Sequence, residues 1–300
     1  MKHAVLRSPA RKTGGRRPIL IALLLVALAA LAGCSPSAAS QRSHSTGSLL
    51  DQIRQRKVVK IGIRVDNPPH SLINPQGQWV GFDNDIASAI AKRWGVRLEL
   101  VKVDELTRIS YLQNGKIDLA VASISKTRKR AQQVDFSQTY FSSRQSFLVQ
   151  KGKIARLADL VGKRVGADRG SSGSGNWHAW LAAHGYPDKP NILLFGDKHA
   201  AVAAVKQGAI AGWAEDYEVL ASYARTEPAL AVLNDPQGIG AKLDGIAMHK
   251  NDSSLQLAVN LALQDIQSSG DYAKIYNRWF GPASTAPVPL QQSIEVWPNG

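Results

Sequence analysis

Apolar positions along the chain switch between the spacing of strands and that of helices. Val58-Val-Lys-Ile-Gly-Ile-Arg64 reads as a strand, closed at its C-terminal end by the loop Asp66-Asn-Pro-Pro-His70. From 83 to 94 the spacing becomes helical, carried by Ile86, Ile90 and Trp94, and from 96 to 103 it alternates as a second strand. A short helix over 109–114 and a third strand over 116–123 complete a β-α-β-α-β rhythm. That rhythm predicts a parallel sheet with helices on both faces.

A second series begins after an extended apolar segment at 145–150. Residues 157–167 predict a helix and a strand, followed by a helix at 177–184, a strand at 191–195 and a helix at 200–207. A strand at 210–214 and a helix at 217–225 come next. The chain then extends over 242–249 and closes with helices at 254–268 and 271–279. Two α/β units with a late return predict two lobes and a cleft between them. Ligands of open α/β sheets sit beyond the carboxyl ends of the strands. Residues 64–70, 123–130, 170–174 and Asp216 all follow predicted strands.

One of these strand ends carries particular chemistry. Ala122-Ser-Ile-Ser-Lys-Thr-Arg-Lys-Arg130 feeds hydroxyls and an arginine from an apolar strand into a helix start. Backbone N–H groups at a helix N-terminus favour an anion, and a guanidinium adds two parallel charged hydrogen bonds. The segment therefore suits a carboxylate. Its alternative reading is a strand-to-helix corner with a Ser or Thr cap and a basic solvated face. The run Gly170-Ser-Ser-Gly-Ser-Gly175 lacks Gly-x-Ser-x-Gly spacing and reads as a backbone anion cradle rather than a nucleophile elbow. No histidine pair has metal-ligand spacing, and neither a metal nor a cofactor is expected.

Composition adds a compartment. Six basic residues precede an apolar run ending in Leu31-Ala32-Gly33-Cys34, which makes residues 1–33 a secretion signal. The context of Cys34, the chain's only cysteine, resembles a bacterial lipobox, which implies a lipid attached at Cys34 and a membrane-anchored, exported protein facing periplasm or cell exterior. With that thiol used, none remains for a disulfide or redox centre. Of 37 basic and 23 acidic residues, the signal removes six basic ones, leaving 31 against 23 and a dispersed balance of +8. Export and dispersion exclude nucleic acid as a partner and leave a mild preference for small anionic molecules. Residues 34–47 read as a flexible tether, and the proline-rich 283–300 as a tail that is disordered or lies along the surface.

The order and spacing of several motifs now carry a resemblance. They are Ile61-Gly62, Pro68-Pro69, Gly77 with Gly81-Phe-Asp-Asn-Asp85, Leu112-Gln-Asn-Gly-Lys-Ile-Asp118, Ser125 to Arg130, and Asp135-Phe-Ser137 with Tyr140. Asp159-Leu-Val-Gly-Lys-Arg-Val165, Gly270-Asp-Tyr272 and Trp279-Phe280 extend the match across 49–280. The chain resembles the family 3 solute-binding proteins of bacterial ABC transporters, those for polar amino acids. The resemblance implies a two-lobed periplasmic-binding-protein-like fold of type II with two crossing segments. It also implies a monomer that binds an amino acid and docks on an ABC permease. The expected organisation is lobe 1 at 48–143 and 241–282, and lobe 2 at 144–240.

By the same resemblance Arg130 holds the ligand α-carboxylate, assisted by Ser125, Ser171 and Ser172. Ser123 lies near the ligand, and Asp216 receives the α-ammonium, or else caps the helix that follows it. Two arginines beyond that set, Arg64 and Arg108, fit a distal carboxylate and resemble the glutamate/aspartate-binding subgroup, with Lys198 near another of its basic positions. Their alternative is surface pairing of Arg64 with Asp66 and of Arg108 with Glu105. Asn67 and His70 stand where relatives carry aromatics that stack on the ligand, which implies a more polar pocket wall. The chain reads as a binding protein, not an enzyme. Two alternatives remain: a cyclohexadienyl dehydratase on the same scaffold, using Asp216 or Glu215 as its acid, and an amino-acid-sensing receptor lipoprotein.

Overall fold

The computed structural model describes residues 48–187 and 189–289. The expected signal peptide, Cys34, the tether and the last part of the tail lie outside the described residues. Ser48 opens the fold with a reciprocal cap: its hydroxyl accepts from the Asp51 N–H, and the Asp51 carboxylate accepts from the Ser48 N–H. This cap starts α1 (Leu49–Arg56). Then come β1 (Val58–Ile63), β2 (Asp66–Asn67), β3 (Ser71–Ile73), β4 (Trp79–Val80) and α2 (Phe82–Trp94). They lead to β5 (Arg97–Lys102), α3 (Arg108–Gln113), β6 (Leu119–Ala120) and α4 (Arg128–Ala131).

The long β7 (Asp135–Gln150) crosses into a second α/β series. That series holds β8 (Arg164–Asp168), α5 (Gly173–Ala183), β9 (Asn191–Phe195), α6 (Lys198–Lys206), β10 (Gly212–Asp216), α7 (Tyr217–Thr226) and β11 (Leu230–Val232). The chain returns along β12 (Gly240–Met248) and ends with α8 (Ser253–Ser268) and α9 (Asp271–Phe280).

Strands β5, β1 and β6 are parallel, as are β10, β8 and β9, so each half agrees with the predicted rhythm. The join does not. One mixed sheet runs β5-β1-β6-β12-β7-β10-β8-β9, and its centre is the antiparallel pair β12–β7, which runs from Gly240↔Gln145 to Met248↔Asp135 with register shifts on either side of Gly245. A chain that leaves one half and comes back must pass the join in both directions, and local apolar spacing carries no record of that return. The first ten residues of β7 and the small sheet β2-β3-β4 were likewise absent from the predicted elements, because both are short on apolar alternation.

Helices cover both faces of each half. In the first lobe Val59, Ile61 and Ile63 of β1 pack with Ile86, Ile90, Val259 and Leu263, and the opposite face buries Val103, Leu112, Ile117 and Ile124. In the second lobe Phe147, Val165, Trp177 and Leu181 form one layer, and Val202, Val205, Trp213 and Leu220 the other. Each such side chain contributes roughly 1.5–3 kcal/mol on full burial. Gly81 decides how α2 docks: at φ 140° a Cβ would lie 2.3 Å from the His70 carbonyl oxygen. The start of the tail is not free on the surface. Ala286 and Val288 are buried, and Val288 exchanges hydrogen bonds of 3.0 Å with the Tyr276 hydroxyl and the Phe280 carbonyl.

Candidate functional site

The segment after β6 turns out of the sheet at Ser123, whose φ of 50° is uncommon for a residue with a side chain. Two of the departing carbonyls are caught by Arg108, which donates to Ala122 O at 2.8 Å and Ser123 O at 3.1 Å. The expected helix start is a single turn: α4 spans four residues, with the Thr127 hydroxyl accepting from the Arg130 N–H at 3.2 Å. Such a turn offers little dipole, so the anion-holding capacity of this side rests on the Arg130 guanidinium and on hydroxyls. Arg130 donates to Ser125 O at 2.8 Å and, across the cleft, to Gly170 O at 2.9 Å.

The second lobe supplies the opposite wall. Ser171 and Ser172 precede the 11-residue α5, whose N-terminal end therefore faces the same space. Strand β10 runs two residues beyond its predicted end and finishes on Asp216. Asp216 occupies the cap position of α7, yet its side chain makes no capping bond. Its carboxylate accepts instead from Gln145 Nε2 at 2.9 Å and pairs with Lys242 Nζ at 3.0 Å, with the Ser123 hydroxyl 3.5 Å away. Arg108, Ser123, Ser125, Arg130, Ser171, Ser172 and Asp216 line one cavity of about 10 Å³. Glu105, Gln145 and Glu215 share that wall and were not among the candidate binding residues.

A neighbouring cavity of about 70 Å³ meets the first at Glu105 and is lined by Arg64, Asp66, Asp168 and Lys198. Its charges are already paired. Arg64 bonds Asp66 at 3.0 Å and Glu105 at 2.7 Å, and Lys198 holds Asp168 while lying 3.3 Å from Glu215. Of the alternative reading, the Arg64–Asp66 pair forms, with Asp66 exposed and Arg64 buried, whereas Arg108 donates to backbone carbonyls instead of bridging Glu105 at the surface. Burial raises the Glu105 carboxyl, but Arg64 and Lys198 outweigh it and keep the pKa below the usual range. Glu215 goes the other way. Burial pushes it well up, the pull of Lys198 falls short, and Asp216 and Asp168 repel its charge. Among the described residues Glu105, Asp168 and Glu215 converge as metal ligands would, within 4.8 Å of one another. Ammonium and guanidinium groups stand on those oxygens.

Residues 59–282 match the family described as bacterial extracellular solute-binding proteins, family 3. The chain belongs to that family. It is 32% identical over 266 residues to the ABC transporter glutamine-binding protein of Bacillus subtilis (strain 168), covering 87% of this chain and 94% of the relative. A solved ancestral arginine-binding protein bound to glutamine is 33% identical, with a TM-score of 0.68 over 75% of this chain and 99% of that one. An ancestral amino acid-binding protein described as a precursor of cyclohexadienyl dehydratase is 31% identical, with the same TM-score over 78% and 100% of the two chains. The fold is thus the two-lobed type II architecture, with β7 and β12 as its crossing segments. No described helix is long and apolar enough to cross a membrane.

Two further expectations about this family member are corrected. Neither Asn67 nor His70 lines the cavities; both are fully buried. His70 sits among Phe82, Phe141 and Phe280, with ring centroids 4.7–5.9 Å away. Its Nε2 lies 2.7 Å from Glu218 and 3.0 Å from Lys242 Nζ. Lys242, on β12, has no exposure and also contacts Asp216, Glu218 and Asp244, the last at 3.0 Å. The charged network behind the cleft was missed. A Lys-Leu-Asp sequence on a strand reads as an exposed polar face, but here Leu243 is 41% exposed and Lys242 and Asp244 point inward.

Proposed function

We propose that the protein captures an α-amino acid outside the cytoplasm and delivers it to an ABC transporter permease. The observation that carries this reading is the single small cavity where Arg130 and the serines of both lobes face Asp216. A zwitterion needs a fixed cation and a fixed anion a few ångströms apart, and its burial is costly without both. Arg130, Ser125, Ser171, Ser172 and the N-terminal end of α5 take the carboxylate. Asp216 and Ser123 take the ammonium. The named relatives bind amino acids, glutamine and arginine among them. Residues 48–143 with 241–282, and 144–240, act as the two closing bodies, and Cys34 carries the lipid that keeps this monomer at the membrane.

The glutamate or aspartate preference loses its physical basis. Arg64 is neutralised by two carboxylates, and Arg108 turns Nη1 onto two backbone carbonyls while its Nε has no partner among the described residues, so Arg64 does not await a distal carboxylate and the named relatives bind glutamine and arginine instead of an acidic amino acid. The protein is a binding protein and not an enzyme, as its named curated relatives are. The dehydratase reading keeps one supporting observation: a pocket acid, Glu215, whose carboxyl is raised above the usual range by burial. Calorimetric titration of ligand-stripped protein with the twenty amino acids is the test. At least one amino acid binds, and Arg130→Ala weakens it about 100-fold, as loss of a charge-pair partner does. Silence toward all twenty, or an Arg130→Ala protein that binds normally, would overturn the reading. Turnover of prephenate or arogenate would favour the enzyme, and a gene beside a kinase instead of a permease would favour a sensor.

A further inference from the structure

We infer that Asp244 is a positioning residue for the ligand's α-ammonium: it holds the Ser123 and Ser125 hydroxyls so that their lone pairs face the cavity. This rests on the amino-acid reading above and sharpens it, moving Ser125 from the carboxylate's side to the ammonium's. Asp244 lies on β12, fully buried, behind the residues that line the cavity. The backbone puts it there. Ser125 and Asp244 stand opposite each other in an antiparallel bridge, with the Lys126 N–H donating to Leu243 O at 2.8 Å and the Gly245 N–H to Ile124 O at 3.2 Å. That is a non-hydrogen-bonded pair, the kind whose side chains lie closest on a shared face.

The Ser125 hydroxyl donates to Asp244 Oδ1 at 3.3 Å, and the Ser123 hydroxyl to Asp244 Oδ2 at 3.3 Å, nearer than Asp216 at 3.5 Å. Lys242 Nζ lies 3.0 Å from Oδ2 of both Asp216 and Asp244, which fixes the two carboxylates side by side. Burial raises the Asp244 carboxyl, and Lys242 opposes that rise. A serine hydroxyl has one proton and two lone pairs. With the proton spent on Asp244, each of these two oxygens can only accept from whatever enters the cavity they line. An α-ammonium carries three N–H donors, and Asp216, Ser123 and Ser125 offer it three acceptors. Ser172 has the opposite polarity: its oxygen accepts from Gln145 Nε2 at 3.1 Å, which leaves its proton for a carboxylate.

A 2-hydroxy acid shares the carboxylate and side chain of an amino acid but lacks its ammonium, so the ratio of the two affinities isolates this subsite. The probes for calorimetry of the full chain are whichever of the twenty amino acids binds most tightly and the 2-hydroxy acid with the same side chain. In Asp244→Asn the amide donates to one hydroxyl and turns that proton into the cavity, and the ratio falls at least about tenfold, the usual range for a hydrogen bond to a charged group. In a Ser123→Ala, Ser125→Ala background the same substitution changes the ratio by less than about twofold, because the hydroxyls it acts through are gone. A merely structural role would lower both affinities together and leave the ratio alone. Ser125→Ala by itself lowers the ratio, whereas a hydroxyl serving the carboxylate would weaken both probes equally; this variant carries the test if Asp244→Asn does not fold. An unchanged ratio in either variant, or an equal fall with and without the serines, overturns the inference and leaves the amino-acid reading intact. Silence toward all twenty amino acids removes both.

Discussion

His70 illustrates how a side chain's surroundings decide its chemistry. Burial opposes its charge and Lys242 repels it, but Asp83 and Glu218 hold the imidazolium, raising the pKa from 6.5 to about 9. A histidine raised in this way stabilises the fold fully below about pH 6.5 and loses that contribution as pH climbs through about 9. The loss is on the order of 3 kcal/mol. Glu215 and Asp244, both raised, lose stability in the same direction, so the difference between two proteins is the useful quantity. Unfolding curves across this window should show a steeper loss in the parent than in His70→Phe; equal slopes would show that His70 carries no such linkage. The residue types needed for a zwitterion were legible in the sequence, as Arg130, Asp216 and the four serines show. Their partners were legible only in part: the Arg64–Asp66 pair was an alternative reading, whereas the second partner of Arg64, Glu105, and the two carbonyls that Arg108 Nη1 reaches were not.

At the scale of elements, β12 ties the site to the join between the lobes. Lys242 touches Asp216 and Glu218 from the second lobe, His70 from the first, and Asp244 on its own strand. Removing one member of a buried ionic group leaves the others uncompensated, at roughly 3–5 kcal/mol. Lys242→Met should therefore lower the unfolding free energy from urea titration by that amount at neutral pH. The deficit should shrink on acidification, as Asp244, whose carboxyl is raised above the usual range by burial, takes up its proton. A Lys242→Met protein as stable as the parent would place the lysine outside the stability of the fold. Most helices and strands were legible because one face of each is apolar at a fixed period: the strand at 191–195 and the helix from 217 are examples. β7 was legible only in part. Its first ten residues, Asp-Phe-Ser-Gln-Thr-Tyr-Phe-Ser-Ser-Arg, alternate poorly and are held extended by β12 rather than by their own pattern.

For the whole molecule, the two crossing strands and the polar contacts between the lobes describe a closed cleft. Arg130 reaches Gly170 at 2.9 Å and His70 reaches Glu218 at 2.7 Å. Among the described residues β7 and β12 are the strands at the join of the sheet halves, and hinge closure around a ligand is the motion to expect of such a join. The scattering radius of gyration of ligand-stripped protein should fall when a binding amino acid is added; an unchanged radius together with calorimetric binding would mean a rigid, preformed pocket. The sequence by itself determined the α/β rhythm, the two units, and the supply of a cation, an anion and hydroxyls at strand ends, because periodicity and side-chain chemistry are local properties. Only the tertiary structure decided that the lobes share one mixed sheet, that Lys242 and His70 lie behind the site, and that Arg64 is paired with Asp66 and Glu105 while Lys198 lies between Asp168 and Glu215. Charge pairing depends on which groups meet in space, and in this chain the decisive meetings join residues as far apart as His70 and Lys242.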